Sequence, residues 1–181
     1  MKVEEIDAIN YKNSVAENVK EKVVLDETIT LTITKEISRS LSAIEDSLEE
    51  FAVGYLFNEN MVKSMGDIKN IEVNGTQINA EIDDTLLKTN ETVLCSDSAG
   101  GWRSKIKQVN PVDSDFQVHV SELIDRIEEL KDNAEIWQAT GGTHVAGIVY
   151  ENQFIVKEDV SRHVAVDKVI GYGLLHDFDL S

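Results

Sequence analysis

The chain has 181 residues, of which 41% are hydrophobic and 28% are charged, a composition typical of soluble globular domains. Its 34 acidic and 17 basic side chains give a net charge of −17, which disfavours nucleic acid as a partner because nucleic-acid affinity depends on attraction to phosphates. No apolar run reaches the ~18 residues of a membrane helix, and residues 1–15 lack the basic start and apolar stretch of a signal peptide. The single cysteine fits a reducing compartment. We therefore predict a cytoplasmic protein that binds neither nucleic acid nor membrane.

The first half of the chain contains patterns for a strand and a helix. Residues 22–36 are rich in Val, Ile and Thr, and residues 28–34 alternate polar and apolar side chains, which predicts a strand with one buried face. Residues 42–45 have the S-x-x-E pattern of a capping box, which predicts that a helix begins near Ser42. This helix should bury an apolar stripe made of Leu48, Phe51, Ala52, Tyr55 and Leu56.

A hairpin and a short strand are predicted next. Residues 68–73 and 77–82 flank Asn74-Gly75-Thr76, and Asn-Gly is a strong hairpin signal because both residues tolerate a positive φ. Residues 92–94 resemble another short strand, and a loop of small residues, 95–101, follows it. The first part of the chain is therefore predicted to be mainly β-sheet with one amphipathic helix.

After Pro111 the pattern changes to helices and one further hairpin. Leu123, Ile124, Ile127 and Leu130 predict an amphipathic helix capped by Ser121. Residues 145–150 and 154–156 predict two strands, and residues 165–174 predict a final helix. We predict an α+β (α/β) fold with a β-rich N-terminal lobe over residues 1–115, which contains the Cys95 loop, and the start of an α/β lobe over residues 116–181.

Cys95 is the first candidate for a reactive group. It lies among small residues, so nothing bulky blocks access to its thiol. Arg103 or Lys105 could stabilise the nucleophilic thiolate, whereas Asp97 would oppose it. Together with Lys107, these two cations could also hold an anion or form a solvated basic edge. From the residues alone, Cys95 is either a reactive nucleophile or a small buried hydrophobic residue.

Two segments near the C-terminus form a second candidate site. Gly141 and Gly142 precede a predicted strand, which is the wrong side for a dinucleotide-binding fingerprint, but they can allow close approach to a ligand beside His144 or form a tight turn. Arg162 and His163 lie where the final helix begins, and free backbone N–H groups there attract anions; alternatively Arg162 pairs with a carboxylate. We expect these five residues to line one cleft with the Cys95 loop at its rim.

A metal site is not predicted. Metal-binding sequences usually place histidines or cysteines at characteristic short spacings, and the single cysteine cannot form a thiolate set. The histidines of this chain lack such spacing; they are His119, His144, His163 and His176. We therefore expect no tightly bound metal.

Three segments together resemble one known family. Residues 140–146 read T-G-G-T-H-V-A and residues 158–168 read E-D-V-S-R-H-V-A-V-D-K. They resemble the motifs T-G-G-x-H-x-A and E-D-V-G-R-H-N-A-x-D-K of the formate dehydrogenase accessory sulfurtransferase family, FdhD. Residues 48–59 resemble the family's L-x-x-x-A-x-G-F-L-x-x-E helix, so the resemblance spans most of the chain.

The resemblance implies a sulfur carrier, which is an enzyme only in the loose sense of group transfer. Such a protein accepts sulfur from a cysteine desulfurase as a persulfide on Cys95 and passes it to the molybdenum guanine dinucleotide cofactor that formate dehydrogenase requires. The cofactor would be a transient ligand of Gly141, Gly142, His144, Arg162 and His163. The resemblance also implies that the second lobe is similar to the cytidine deaminase fold without its zinc site, and it is compatible with a homodimer.

The sequence departs from the family pattern in three places. Where the family commonly has C-G-x-C-G, this chain has C-S-D-S, so that Cys95 keeps the first thiol and Ser98 replaces the second. Ser161 and Val164 replace the usual Gly and Asn, which is expected to loosen ligand contacts. The sequence stops at Ser181, before a further α/β segment of the family, so we expect weak cofactor affinity.

Two other functions remain open at this stage. The chain could be a nucleotide-binding or cofactor-binding chaperone in which Gly141, Gly142, Arg162 and His163 hold an anion and Cys95 is inert. It could also be an interaction module without an activity of its own. Thiol alkylation separates a reactive cysteine from an inert one, and stabilisation by a guanine nucleotide tests for binding.

Overall fold

The computed structural model describes residues 2–87, 92–93, 103–104, 111 and 114–180. A long antiparallel hairpin opens the chain and consists of β1 (Val3–Lys12) and β2 (Val15–Val24). A four-stranded sheet follows, made of β3 (Glu27–Ile33), β4 (Ile37–Ala43), β5 (Ile68–Asn74) and β6 (Gln77–Ile82). Its strand order is β4-β3-β6-β5, and only the central pair β3–β6 is parallel.

One face of this sheet forms the core together with helix α1 (Leu48–Asn58). The alternation in β3 places Ile29, Leu31 and Ile33 on the buried face, each with no exposed surface. The apolar stripe of α1 covers them, and all five of its predicted members are buried. The hairpin β5–β6 turns at Gly75, whose φ of 57° is the conformation that the Asn-Gly signal predicts.

The predicted start of α1 is wrong. Ser42 belongs to β4, and its hydroxyl donates to the Asp26 carboxylate instead of capping a helix. The helix begins at Leu48, after Ser47, which has a left-handed φ of 47°. The capping box does not form because Ser42 is paired with Thr28 in the β3–β4 ladder and the Glu45 carboxylate accepts from the Lys2 ammonium at 2.5 Å. The strand predicted over residues 22–36 is likewise divided between β2 and β3.

The remaining elements carry most of the candidate residues. They are β7 (Thr92–Val93), β8 (Arg103–Ser104), α2 (Val120–Asp132), α3 (Glu135–Thr140), β9 (His144–Tyr150), β10 (Gln153–Asp159) and α4 (Arg162–Leu175). The hairpin β9–β10 and the final helix are therefore where the sequence predicts them. Helix α2 also forms, but its cap position is His119 and not Ser121. Helix α3 and the hairpin β1–β2 were not predicted.

Helices α1 and α4 cross with their backbones in contact. A Cβ atom on Gly54 would lie 1.9 Å from the carbonyl oxygen of Asp167, and one on Gly171 would lie 1.7 Å from that of Glu50. Only glycine fits at either position, because the obstructing atoms are backbone and cannot rotate away. This crossing joins residues of the two predicted lobes directly. The division into residues 1–115 and 116–181 stays a prediction.

An apolar surface lies between α2 and the hairpin β9–β10. Leu123, Ile124 and Ile127 of α2 are 47%, 54% and 52% exposed, so the amphipathic stripe of this helix is only partly covered. Leu123 and Ile127, together with Val149 and Phe154, border a cavity of about 480 Å³. In the described part of the chain, β9 pairs only with β10, which leaves its other edge open.

The mixture of strands and helices confirms the predicted α+β class. Among the described residues, no helix is both long enough and apolar enough to cross a membrane. The long hairpin β1–β2 carries exposed apolar residues toward its tip, including Ile9 and Tyr11.

The helix crossing generates a stability prediction. Gly54→Ala should lower the free energy of unfolding by about 3 kcal/mol, since the added methyl must push two backbones apart. Gly66→Ala is the matched control, because its Cβ would meet only the Ser64 hydroxyl, at 3.5 Å. Urea denaturation of the three proteins measures the difference. Equal, small losses for both variants would show that the helices do not touch as described.

Candidate functional site

A cavity of about 290 Å³ lies at the N-terminal end of α4. The loop between β10 and α4 supplies Val160 and Ser161, and the helix itself supplies Arg162. His144 comes from the start of β9, which lies opposite Asp159 in the β9–β10 ladder. The other wall comes from the N-terminal part of the chain and is made of Val24, Asp26 and Ser42.

The structure brings some of the predicted site residues together and leaves others apart. His144 and Arg162 line the same cavity, and Gly142 lies against Val24 of its wall, since a Cβ on Gly142 would be 2.7 Å from that side chain. Gly141 has a different role, since it ends α3 in the left-handed conformation with a φ of 62°. His163 is half-buried and is not among the residues lining the cavity.

The two basic side chains of the cavity are available to a ligand. Neither the Arg162 guanidinium nor the His144 ring makes a hydrogen bond or ion pair with any residue that the structure describes. Arg162 is exposed and lies at the N-terminal end of α4, where free backbone N–H groups add to the positive potential. Asp26 is the opposing charge, and its carboxylate accepts a hydrogen bond from Ser42. The arrangement can attract an anionic group beside a hydrogen-bond acceptor.

The acidic residues that precede Arg162 hold the framework of this cavity. Glu158 accepts hydrogen bonds from the backbone N–H groups of Ile136 and Trp137, at 2.8 and 2.7 Å, and so caps the start of α3. Its carboxylate also accepts from the Thr143 hydroxyl at 2.8 Å. Glu158 therefore fixes the turn that carries Gly141.

Asp159 and Lys168 form a buried ion pair at the centre of the structure. The Lys168 ammonium donates to the Asp159 carboxylate at 2.8 Å, and both side chains have no exposed surface. Lys168 also donates to the Asp46 carboxylate at 2.9 Å and to the Ile44 carbonyl at 3.3 Å. Burial raises the pKa of Asp159, although Lys168 opposes this effect. This pair links α4 to the segment before α1.

Ser161 and Val164, which depart from the family pattern, both have structural roles. Ser161 is the N-cap of α4, and its hydroxyl accepts the Val164 backbone N–H at 3.3 Å. The Val164 side chain is fully buried in the core. Both residues therefore support the helix beside the cavity.

Arg103 is not a free cation, contrary to one of the expectations from the sequence. Its guanidinium binds the Asp167 carboxylate through both terminal nitrogens and the Glu59 carboxylate at 3.1 Å. Burial raises the pKa of Asp167 to about 6, and the opposing effect of Arg103 does not cancel it. Asn58 also donates to Asp167, at 2.7 Å. Arg103 is therefore occupied by two carboxylates and cannot also serve as an anion site.

Several candidate residues lie outside the part of the chain that the structure describes. They are Cys95, Asp97, Ser98, Lys105 and Lys107. The two flanking strands are described, and they pair antiparallel with Val93 opposite Arg103 and Thr92 opposite Ser104.

Sequence reasoning missed Asp26, Ser42 and Glu59. Nothing in the local pattern distinguishes Asp26, a polar residue between two strands. Glu59 did carry a signal, since a carboxylate at the C-terminal end of a helix is unfavourable next to the helix dipole unless a cation compensates it.

As to metals, the described residues contain no group of three or more potential ligand side chains.

Comparison with known proteins identifies the fold first. The chain resembles the crystal structure of a formate dehydrogenase accessory protein from Desulfotalea psychrophila, with a TM-score of 0.76 at 22% identity over 97% of this chain and 70% of that one. At this level of identity the likeness shows that the two chains share a fold.

Sequence comparison then identifies the family. The chain is 42% identical over 172 residues to sulfur carrier protein FdhD of Methanothermobacter thermautotrophicus, covering 94% of this chain and 69% of that protein. It is 33% identical over 144 residues to sulfur carrier protein FdhD of Shewanella oneidensis, covering 71% of this chain and 52% of that protein. The profile of the FdhD/NarQ family matches residues 24–181. The chain belongs to the FdhD/NarQ family, as its motifs predicted.

Asp167 should make the stability of the protein depend on pH. Its pKa is raised from 3.8 to about 6, so the folded state binds this proton more tightly than the unfolded state does. The resulting stabilisation is complete below about pH 4 and is lost as the pH rises through about 6. Relative to Asp167→Asn, the free energy of unfolding of the natural chain should fall by roughly 1 kcal/mol between about pH 5 and about pH 7.5.

Urea denaturation across this pH range measures the effect, with Asp83→Asn as the control. Asp83 is exposed, and a hydrogen bond from the Thr85 backbone lowers its pKa, so it stays ionised throughout the range. The difference between the natural chain and the control variant should therefore not change with pH. A constant difference for Asp167→Asn as well would contradict the raised pKa of Asp167.

Proposed function

We propose that this chain is a sulfur carrier in which Cys95 accepts sulfur as a persulfide from a cysteine desulfurase and passes it to the molybdenum guanine dinucleotide cofactor that formate dehydrogenase requires. The observation that carries the proposal is membership in the FdhD/NarQ family, with two relatives named sulfur carrier proteins. Cys95 is the only cysteine, so any thiol step performed by this chain must use it. A free thiol of this kind fits the reducing cytoplasm.

The loading step is a sulfur transfer between two cysteines. The Cys95 thiolate attacks the terminal sulfur of the donor's cysteine persulfide, a new S–S bond forms on Cys95, and the donor cysteine leaves as its thiolate. Neither protein is oxidised overall, because the terminal sulfur keeps its oxidation state. If the sulfur then leaves Cys95 as sulfide, a thiol reductant must supply two electrons to break that S–S bond.

The cavity at the start of α4 supports a place for the anionic end of the cofactor. Arg162 and His144 face it, and the α4 backbone N–H groups add to its positive potential. Its volume of about 290 Å³ lies at the lower limit of ligand pockets, which hold about 300–1,000 Å³. The cavity therefore suits a phosphate-bearing part of the cofactor and not the whole molecule. Asp26 would accept hydrogen bonds from the same ligand.

The same cavity favours the second candidate function, a cofactor-binding chaperone without thiol chemistry. Both functions need Arg162 and His144, and only the sulfur carrier needs Cys95. Homodimerisation stays a prediction.

Mass spectrometry after incubation with a cysteine desulfurase and cysteine tests the carrier function. The natural chain and Ser98→Ala should each gain the mass of one sulfur atom, whereas Cys95→Ala should gain none. A serine hydroxyl is protonated near neutral pH and forms no comparable sulfur adduct, so Ser98 cannot replace the thiol. If Cys95→Ala still restored formate dehydrogenase activity in a strain lacking its own accessory protein, the chaperone function would replace the carrier function.

Binding of guanosine diphosphate, measured by isothermal titration calorimetry, tests the cavity. Arg162→Gln should weaken binding roughly tenfold to a hundredfold, because a charge-assisted hydrogen bond to the ligand is lost. Arg126→Gln is the matched control, since Arg126 lies on α2 and pairs with Glu129, away from this cavity. Equal affinities for both variants would place the nucleotide elsewhere.

A further inference from the structure

The two residues of β8 are held by two buried carboxylates, one from α4 and one from the residue that follows α1. The Arg103 guanidinium binds Asp167 of α4 and the Glu59 carboxylate just after α1. The backbone N–H of Ser104 donates to the other oxygen of Glu59, at 2.6 Å. Glu59 therefore binds both residues of the strand, one through its side chain and one through its backbone.

This cluster is almost completely shielded from water. The side chains of Arg103, Glu59 and Asp167 are 12%, 6% and 1% exposed. The ring of Tyr55 lies below the guanidinium, 5.2 Å from ring centroid to guanidinium carbon. Burying such charges costs several kcal/mol per ion, and well-packed apolar side chains would usually stabilise a fold as well or better. Stability alone therefore does not explain the cluster, whereas a requirement for a fixed position does.

The cluster fixes the position of a short antiparallel ribbon that consists of β7 and β8. Within the described residues, strands β7 and β8 have two residues each, and an isolated pair of strands of this length is not stable in water. The backbone pairing of Val93 with Arg103 transmits the anchor from β8 to β7. Cys95 follows Val93 by two residues in the sequence.

We propose that Arg103, Glu59 and Asp167 are positioning residues for sulfur transfer, which hold the β7–β8 ribbon on α1 and α4 and thereby set where Cys95 is presented to the sulfur donor. The inference rests on the proposed function of Cys95. The role is geometric, because the guanidinium is already bound by two carboxylates and does not act as a free cation toward the thiolate. Arg103→Lys, which keeps the charge of the cluster, should therefore leave the pKa of the thiol unchanged.

The test compares persulfide loading by a cysteine desulfurase in Arg103→Lys, Asp167→Asn and the natural chain, at a temperature where all are folded. Arg103→Lys keeps the charge but loses the two-pronged contact with Asp167. Both variants should show kcat/KM for loading reduced by between about tenfold and a hundredfold, as expected when a reacting group is displaced by about an ångström. In Arg103→Lys, which keeps the charge of the cluster, the midpoint of the pH profile for iodoacetamide alkylation of Cys95 should not shift.

Lys157→Gln is the matched control for loss of stability. Lys157 of β10 pairs with Glu50 of α1 at 3.2 Å and is 18% exposed, so Lys157→Gln also breaks a shielded ion pair. Glu50 lies near the N-terminal end of α1, whereas Glu59 follows its C-terminal end. Lys157→Gln should lower the thermal midpoint and leave loading unchanged. The inference is overturned if both cluster variants load at the natural rate, if Lys157→Gln loses as much rate, or if a shift of the alkylation midpoint accounts for the loss. A Cys95→Ala variant that still loads would refute the proposed function instead.

Discussion

The contact between the backbones of α1 and α4 is the constraint on which the other interactions depend. Because Gly54 and Gly171 have no side chains, the two helices approach until the Asp167 carbonyl lies where a Cβ of Gly54 would be. This approach brings the Asp167 carboxylate within 2.7 Å of Asn58 and brings Lys168 to Asp46. A wider crossing would separate these buried charges from their partners, and an unpaired buried charge is strongly destabilising.

The charged motif of residues 158–168 therefore serves two purposes. Glu158, Asp159, Asp167 and Lys168 are bound to other parts of the chain and hold α3, α4 and the segment before α1 in place. Arg162 alone of its charged residues lines the cavity at the start of α4. Most charged residues of this motif therefore stabilise the fold, and few of them are available to bind a ligand.

Local periodicity correctly predicted the strands and helices that bury one face. It failed where contacts between residues distant in sequence determine the structure. The strand around Leu31, the stripe of α1 and the Asn-Gly hairpin follow from nearest neighbours along the chain. The start of α1 does not, because Ser42 is paired within β4 and the Glu45 carboxylate is bound by Lys2, a residue 43 positions away. His144 and Arg162 could be selected as cavity residues from their motifs, whereas Asp26 has no local signal. The pairing of Arg103 with two carboxylates could not be predicted from local sequence either, because it depends on the packing of α1 against α4.

The partly uncovered stripe of α2 has a consequence for the colloidal behaviour of the protein. Leu123, Ile124 and Ile127 attract other apolar surfaces whatever the ionic strength, while the net charge of −17 keeps molecules apart only over the screening distance. That distance falls from about 10 Å in 0.1 M salt to about 3 Å in 1 M salt. Concentrated salt therefore removes the repulsion and leaves the attraction, and approach to the isoelectric point near 4.5 does the same by discharging the carboxylates. The acidity of the chain therefore opposes association through an apolar face that the described residues leave partly exposed.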